Sequence, residues 1–337
     1  MATSKSAAGG SSSAVASTGP DPGHFSPNLL YAAAKLYYDE DATQAEVATR
    51  LGTSRATVSR LLSEARRQGI VRIQVIEPRE PAPDDLAERV ALHLGLNRVF
   101  VSAPLPAPTP TKTVVDLMGR SLAPAVSRAL AAIGLVPGDV VLVSSGRTIY
   151  EVAQSELDRT PGVLVAPTVG GSDQPEEWYQ TNEITRLMAK RLGGHPNYLF
   201  APALPGVELH ATLRSEPAIQ SVLELWPRAR CILMGVGAPP LLRSDIPRFV
   251  PTHSASLRDS VGDLCSRFFD RDGNPVEFPG SDRLIAVELS ALPSVPVGIA
   301  VAVGAEKVIP IVTGARARFF NQLVTDPATA QLLLDHV

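Results

Sequence analysis

The sequence predicts an α/β protein: a short helix-turn-helix headpiece of the winged type, followed by a doubly wound parallel-sheet domain. Three observations carry this. Three amphipathic segments with helix-capping residues succeed one another between residues 26 and 68. Beyond residue 97, apolar runs such as VVLV (140–143) and VGIAVAVG (297–304) alternate with helical patterns, as expected for parallel strands covered on both faces. Between the two, PREPAPDD (78–85) breaks the pattern with proline and charge and reads as a linker or the lead into a helix over 84–94.

A chain of 337 residues suggests two or three domains. Its 45% hydrophobic and 19% charged content permits a sizeable core. The apolar runs fall short of the roughly 18 residues that span a bilayer, and the N-terminus lacks a signal-peptide core. The expectation is a cytoplasmic protein without a membrane partner. Cys231 and Cys265 make no metal or redox spacing and read as reduced thiols; no metal and no cofactor are expected. Residues 1–25, rich in Ser, Ala and Gly, are expected to be disordered. The boundaries that follow are a tail over 1–25, a headpiece over 26–77 and a larger domain over 78–337.

The net charge of −3 excludes a chain that is basic throughout. It is unevenly spread: between Thr43 and Arg79 stand seven Arg and three Glu, an excess of four positive charges that leaves −7 for the remainder. Such asymmetry fits a small nucleic-acid module joined to a body that does not touch DNA.

The first helix starts at Ser26 as N-cap with Pro27 at the first helical position, and Leu30, Ala33, Ala34 and Tyr37 share one face. Thr43 and Glu46 form a capping box at the start of the second, whose Val47, Ala48 and Leu51 face inward and which Gly52 ends. Ser54 caps a third, to about Gln68, with Val58, Leu61, Leu62 and Ala65 as its buried stripe. Its remaining face carries Arg55, Ala56, Thr57, Ser59 and Arg60. Small residues allow close approach to a major groove, hydroxyls reach phosphates or base edges, and arginine pairs with guanine or phosphate. The candidate DNA-contacting residues are therefore Thr43, Gln44, Ser54, Arg55, Thr57, Ser59 and Arg60. GIVRIQVIE (69–77) alternates as a strand that would lie beside this helix, with Arg72 toward the DNA backbone.

In the larger domain, strands are expected at 97–105, 139–146, within GVLVAPTVGG, at NYLFAPAL (197–204), RCILMGVGA, DRLIAVEL (282–289), VGIAVAVG and FNQLVTD. Helices are expected at 113–135, 148–157, TNEITRLMAKRLGG, PAIQSVLELWPRA, after Ala305 and at PATAQLLLDH; VGDLCSRFFDRDGNPVEF reads as a hairpin. Ligands of such sheets sit beyond the carboxyl ends of the strands, which directs attention to four loops. SSGRT (144–148) offers backbone N–H groups, a flexible Gly146 and the Thr148 hydroxyl to a phosphate or polyol oxygen. GGSDQ contributes Gly171, GVGAPP another glycine turn, and VGAEK places Lys307 where an anion would balance it. His24, His93, His195, His210, His253 and His336 lie outside these loops, the first in the tail, His93 and His336 on helices, the rest in turns.

The order of these motifs, from SRATVSRLLSEARRQGIVRI through GRTIYE, TNEITRLMAKRLGG, MGVGA and VGDLCSRFFDRDGNPV to QLVTDPATAQLLL, resembles the SorC family of bacterial transcription regulators over residues 26 to about 335. The resemblance implies an effector domain similar in fold to glucosamine-phosphate deaminase and ribose-phosphate isomerase. It also implies a phosphorylated sugar or polyol as effector, and homodimers or homotetramers on palindromic double-stranded operator DNA. By the same resemblance Gly146, Arg147 and Thr148 grip the phosphate, Asp263 accepts hydroxyl hydrogen bonds and Lys307 faces the phosphate. Three features depart from the family pattern. Ser144-Ser145-Gly146 stands where Gly-Trp-Gly is common, Pro310 and Gly314 are expected to interrupt the helix after Lys307, and APLPAPTP (103–110) has no family counterpart. The function expected is an effector-controlled regulator of carbohydrate genes, not an enzyme. Two alternatives stand beside it: a sugar-phosphate isomerase or deaminase, and a DNA-binding protein whose large domain only oligomerises.

Overall fold

The computed structural model describes residues 25–72, 83–107, 114–243 and 246–336. The chain divides into two compact units, Met1–Pro78 and Arg79–Val337.

In the first unit, α1 (Pro27–Ala34) starts at Ser26, whose hydroxyl accepts the Leu29 N–H, and continues as one wider π-helical turn over Lys35–Asp39. The capping box at the start of α2 (Gln44–Arg50) is complete. After Leu51 the chain turns on Gly52 at φ +61°, with Gly52 N–H on the Thr49 carbonyl and Thr53 N–H on that of Ala48. This left-handed exit satisfies the last carbonyls of α2 and re-aims the chain into α3 (Arg55–Arg67), capped by Ser54. Leu30, Ala33, Val47, Val58, Leu61, Leu62 and Ala65 make one small core, on which Leu51 and Tyr37 pack half-buried. Phe25, expected in the tail, packs on the same core. The expected strand over 69–77 begins as a turn at 69–72 and otherwise lies outside the described residues, as do residues 1–24 and the linker over 78–82.

The second unit is built on a seven-stranded, wholly parallel sheet. Its chain order is α4 (Pro83–Leu94), β1 (Arg98–Val101), α5 (Val114–Ala131), β2 (Val140–Val143), α6 (Arg147–Gln154), β3 (Leu164–Pro167), α7 (Thr181–Leu192) and β4 (His195–Pro196). There follow α8 (Val207–Ser215), α9 (Pro217–Leu223), β5 (Ala229–Gly235), β6 (Gly262–Leu264), β7 (Arg267–Phe269), β8 (Pro275–Val276), β9 (Val297–Val301), α10 (Val308–Arg316), β10 (Gln322–Thr325) and α11 (Pro327–Asp335). The strands lie side by side in the order β1-β10-β9-β5-β2-β3-β4, and β6-β7-β8 form a separate antiparallel sheet.

Strand periodicity divides the core in two. Val140, Leu142, Ile232, Met234, Ala300 and Leu323 meet α4, α9, α10 and α11; Val141, Val143, Val165, Leu233, Val301 and Val324 meet α5, α6 and α7. Every other residue of a strand faces one side, so runs such as VVLV are apolar throughout because both faces are covered. This is the doubly wound architecture the sequence predicts.

Several elements differ from expectation. Residues 197–204 form no strand: Asn182 holds Leu199 through its N–H and carbonyl, and Pro202 and Pro205 lack the donor a ladder needs. Residues 284–287 are buried and extended but bond to Ala203 and Thr168 rather than to a strand of the main sheet. Residues 207–215 are α8, on which no residue is fully buried, so no apolar period marked it; His210 sits on it, and His195 begins β4. Pro310 and Gly314 do not interrupt α10. Pro310 is in the first turn, where an N–H would have no intrahelical partner, and Gly314 leaves room for the Phe320 ring. APLPAPTP is described only to residue 107 and takes no regular structure there.

Candidate functional site

In the headpiece the candidate residues gather at the N-terminal ends of α2 and α3. The Thr43 hydroxyl and backbone N–H both donate to the Glu46 carboxylate at 2.8 Å. These bonds hold the Glu46 carboxyl below its ordinary value, the backbone one contributing most. The Ser54 hydroxyl accepts the Thr57 N–H at 3.1 Å and lies 2.9 Å from the Thr57 hydroxyl. Thr43, Ser54 and Thr57 thus hold the helix ends in place. Arg55, Ser59 and Arg60 are exposed. Arg50 is paired with Glu40 and Arg67 with Glu64, whereas Arg55 and Arg60 form no ion pair with any described residue. At Arg55 an open groove of about 710 Å³ is lined also by Tyr37, Tyr38, Asp41, Thr43 and Gln44. The two tyrosines stand edge to face in the wider turn that ends the first helix; Tyr37 was expected on the inward face, whereas Tyr38 and the groove were not foreseen from the sequence.

In the larger unit the chain leaves β2 through α6 on one face of the sheet. It leaves β5 through a segment whose Leu289 and Leu292 pack on the other face. The connections therefore diverge between β2 and β5, the switch point where doubly wound sheets open a crevice at the carboxyl ends of their strands. The two strand ends are tied there: Ser144 N–H donates to the Leu233 carbonyl, and the Ser144 hydroxyl accepts the Gly235 N–H at 3.1 Å.

The effector candidates all come to this edge. Gly146, at φ +113°, turns the chain from β2 into α6 and places Arg147 and Thr148, half-buried, in its first turn. Gly171 follows β3, but its N–H and carbonyl are engaged by Ala201 and Ala203, so its backbone donor is not available to a ligand. Asp263, on β6, joins the β5 exit through Gly237, whose N–H donates to the Asp263 carbonyl. A β-carbon at Gly237 would overlap the Asp263 carboxylate and the Arg243 guanidinium, so any larger residue there must displace that pair. Lys307 follows β9 as the residue before α10, half-buried.

Three features of this edge were missed in the sequence. The Asp263 carboxylate is ion-paired with Arg243 at 2.7 Å, both largely buried. The Arg147 guanidinium stands 4.7 Å from the centre of the Trp178 ring. Tyr150 donates to Glu177, and burial, followed by that hydrogen bond, pushes its phenol well up. These pairings join residues distant in sequence; the tryptophan within EEWYQ was the available signal. Among the described residues no helix is long and apolar enough to cross a membrane.

Comparison with known proteins agrees with this division. Residues 82–335 match the family described as "Putative sugar-binding domain", and residues 29–80 a Crp-like helix-turn-helix domain. The chain is 30% identical to the sorbitol operon regulator of Klebsiella pneumoniae, covering 91% of this chain and 97% of that protein. It is 31% identical, over 91% and 97%, to the deoxyribonucleoside regulator of Bacillus subtilis. The crystal structure of the full-length Klebsiella pneumoniae regulator SorC superposes with a TM-score of 0.71 at 29% identity, covering 91% of this chain and 98% of that one. The chain belongs to the SorC family of transcription regulators, in which a helix-turn-helix headpiece is joined to a sugar-binding domain.

Proposed function

We propose that α3 enters the major groove of double-stranded operator DNA, with Arg55, Ser59 and Arg60 at base edges and phosphates. Thr43, Ser54 and Thr57 fix the helix ends that present them, and Gln44 adds a backbone contact. The observation that carries this reading is the pair of exposed arginines on the capped start of α3, without an acidic partner among the described residues. Bare arginines on a helix face of small residues suit a groove edged with phosphates.

The crevice between β2 and β5 takes the effector. Arg147, Thr148 and Lys307 supply cations and a hydroxyl for a phosphorylated sugar or polyol, and Asp263, held by Arg243, accepts from its hydroxyls. The relatives named for sorbitol and for deoxyribonucleosides support a polyol or sugar class. The Arg243 pair opposes use of Asp263 as a general base, so the protein acts by binding rather than turnover. A homodimer or homotetramer in the cytoplasm presents two headpieces at once. Half-sites about 34–36 Å apart make simultaneous contact sensitive to a small rotation between subunits. The effector shifts that balance by the difference in its affinity for the two arrangements. Operator binding measured at fixed salt, against a panel of free and phosphorylated sugars and polyols, tests this. The expected result is a change of at least tenfold with one phosphorylated member; no binding to the protein's own promoter under any condition would sink it.

A further inference from the structure

The segment between β3 and α7 is fastened to the start of α6 by three contacts. The Trp178 carbonyl accepts the Gly146 N–H at 2.9 Å, the Arg147 guanidinium lies over the Trp178 ring, and Tyr150 donates to Glu177. An arginine 4.7 Å from an indole centre is within cation–π range. Arginine suits such stacking because its planar ion is weakly hydrated. A guanidinium ion can offer its face to an aromatic ring while its N–H donors lie in its own plane, so one such ion can meet an indole and donate to an oxyanion together. The indole Nε1–H of Trp178 is buried without a hydrogen-bond partner, as is the hydroxyl of Thr181, 4% exposed at the first residue of α7. Buried polar atoms are nearly always satisfied; in this short segment Oε2 of Glu176 also lacks a partner, and the two donors, the Trp178 indole and the Thr181 hydroxyl, await an oxygen from a ligand or water.

We propose that Trp178 is a positioning and selectivity residue of the effector site. It holds the Arg147 guanidinium at the mouth of the crevice, so that an anionic, polyhydroxylated ligand is preferred over its uncharged parent. The inference rests on the crevice being the effector site. Trp178 acts through Arg147: it fixes one rotamer of a long side chain before the ligand arrives and so removes part of the ordering cost of binding.

The chain has two tryptophans, Trp178 and Trp226; Trp226 donates to the Pro167 carbonyl and packs on the opposite face of the sheet from α6. The full-length protein and its Trp226→Phe variant are titrated with pentose and hexose phosphates, the corresponding polyol phosphates, their unphosphorylated parents and inorganic phosphate. Calorimetry and tryptophan emission are followed together. A phosphorylated ligand is expected to change the emission of Trp226→Phe, where Trp178 is the only indole. Trp178→Leu should weaken that ligand about tenfold and leave the parent sugar within about twofold, and Trp178→Phe, which keeps a poorer ring, should fall between. Equal losses for phosphorylated and parent ligands, or binding with no change in emission, overturn the proposal and leave the effector reading standing. If no member of the panel and no phosphate binds the unaltered protein, the effector reading itself fails and takes this inference with it. Should Trp178→Leu not fold, Trp178→Phe and the emission signal still decide.

Discussion

In the headpiece, Arg55 and Arg60 stand in solvent without an acidic partner among the described residues, while the neighbouring hydroxyls of Thr43 and Ser54 are engaged in helix caps. At the crevice the arrangement is inverted. Arg147 lies over the Trp178 ring and Asp263 is paired with Arg243, whereas the Thr181 hydroxyl and the Trp178 indole N–H have no partner. The proposed ligands, a duplex for the headpiece and a small molecule for the crevice, account for the difference. A duplex presents a dense row of phosphates, and each contact gains from counterion release, so mobile solvated arginines suffice. A small molecule has few groups, so the site must hold its charges in place beforehand.

If the two units are separately stable, damage to one core should spare the other. Leu61 is fully buried in the small headpiece core, and Leu61→Ala should cost about 3 kcal/mol. The expected outcome is loss of operator binding with the calorimetric transition of the larger unit unchanged; a shift of both transitions would show the units to be thermodynamically joined. At the crevice, Asp263→Ala leaves the largely buried Arg243 without its carboxylate and should cost about 2–3 kcal/mol in urea unfolding. The double replacement Asp263→Leu with Arg243→Met should recover most of this. Without recovery, the pair is not what holds the β5 exit.

The sequence revealed one side of this contrast better than the other. Ser26, Thr43 with Glu46, and Ser54 are caps whose partners lie three residues away, and such local bonds leave a readable spacing. The strands were legible because burial on both faces makes a run such as VVLV apolar without interruption. The crevice pairings were not, because Arg147 with Trp178 and Asp263 with Arg243 are joined only by the fold. The apolar segment 284–287 looked like a strand because it is buried: it packs on Val169 and Ala203 and bonds to the loops there by isolated contacts, not by a ladder in the main sheet. α8 escaped notice for the opposite reason, since a helix without a buried stripe has no period.

Two headpiece substitutions separate contact from scaffold. Arg55→Ala should weaken operator binding by about 2 kcal/mol with relaxed specificity at one position if the guanidinium grips a base. An equal loss on all duplexes, with a shallower salt dependence, would assign it to a phosphate. Ser54→Ala should cost about 1 kcal/mol of stability by removing the cap of α3. Ser54→Asp caps as well but sets a negative charge where the proposed contact brings the operator phosphates. It should keep the melting midpoint and lose affinity; unchanged affinity would place the start of α3 away from DNA.

The smallest effect expected is one of pH. The Thr43 backbone N–H and hydroxyl hold the Glu46 carboxyl below its ordinary value of 4.5. A carboxyl whose folded pKa is depressed stabilises the fold fully above its unfolded pKa, and that stabilisation disappears as pH falls through the lower folded value. Operator binding near neutrality should therefore be indifferent to this group, while protection of the α2 amides from exchange should decline in acid. Glu46→Gln can still accept the Thr43 N–H but cannot titrate. Its protection should be slightly lower near neutrality and flatter toward pH 3 than that of the unaltered chain. Matching acid profiles in the two proteins would mean that another carboxylate governs the headpiece, and that the capping box only fixes where α2 begins.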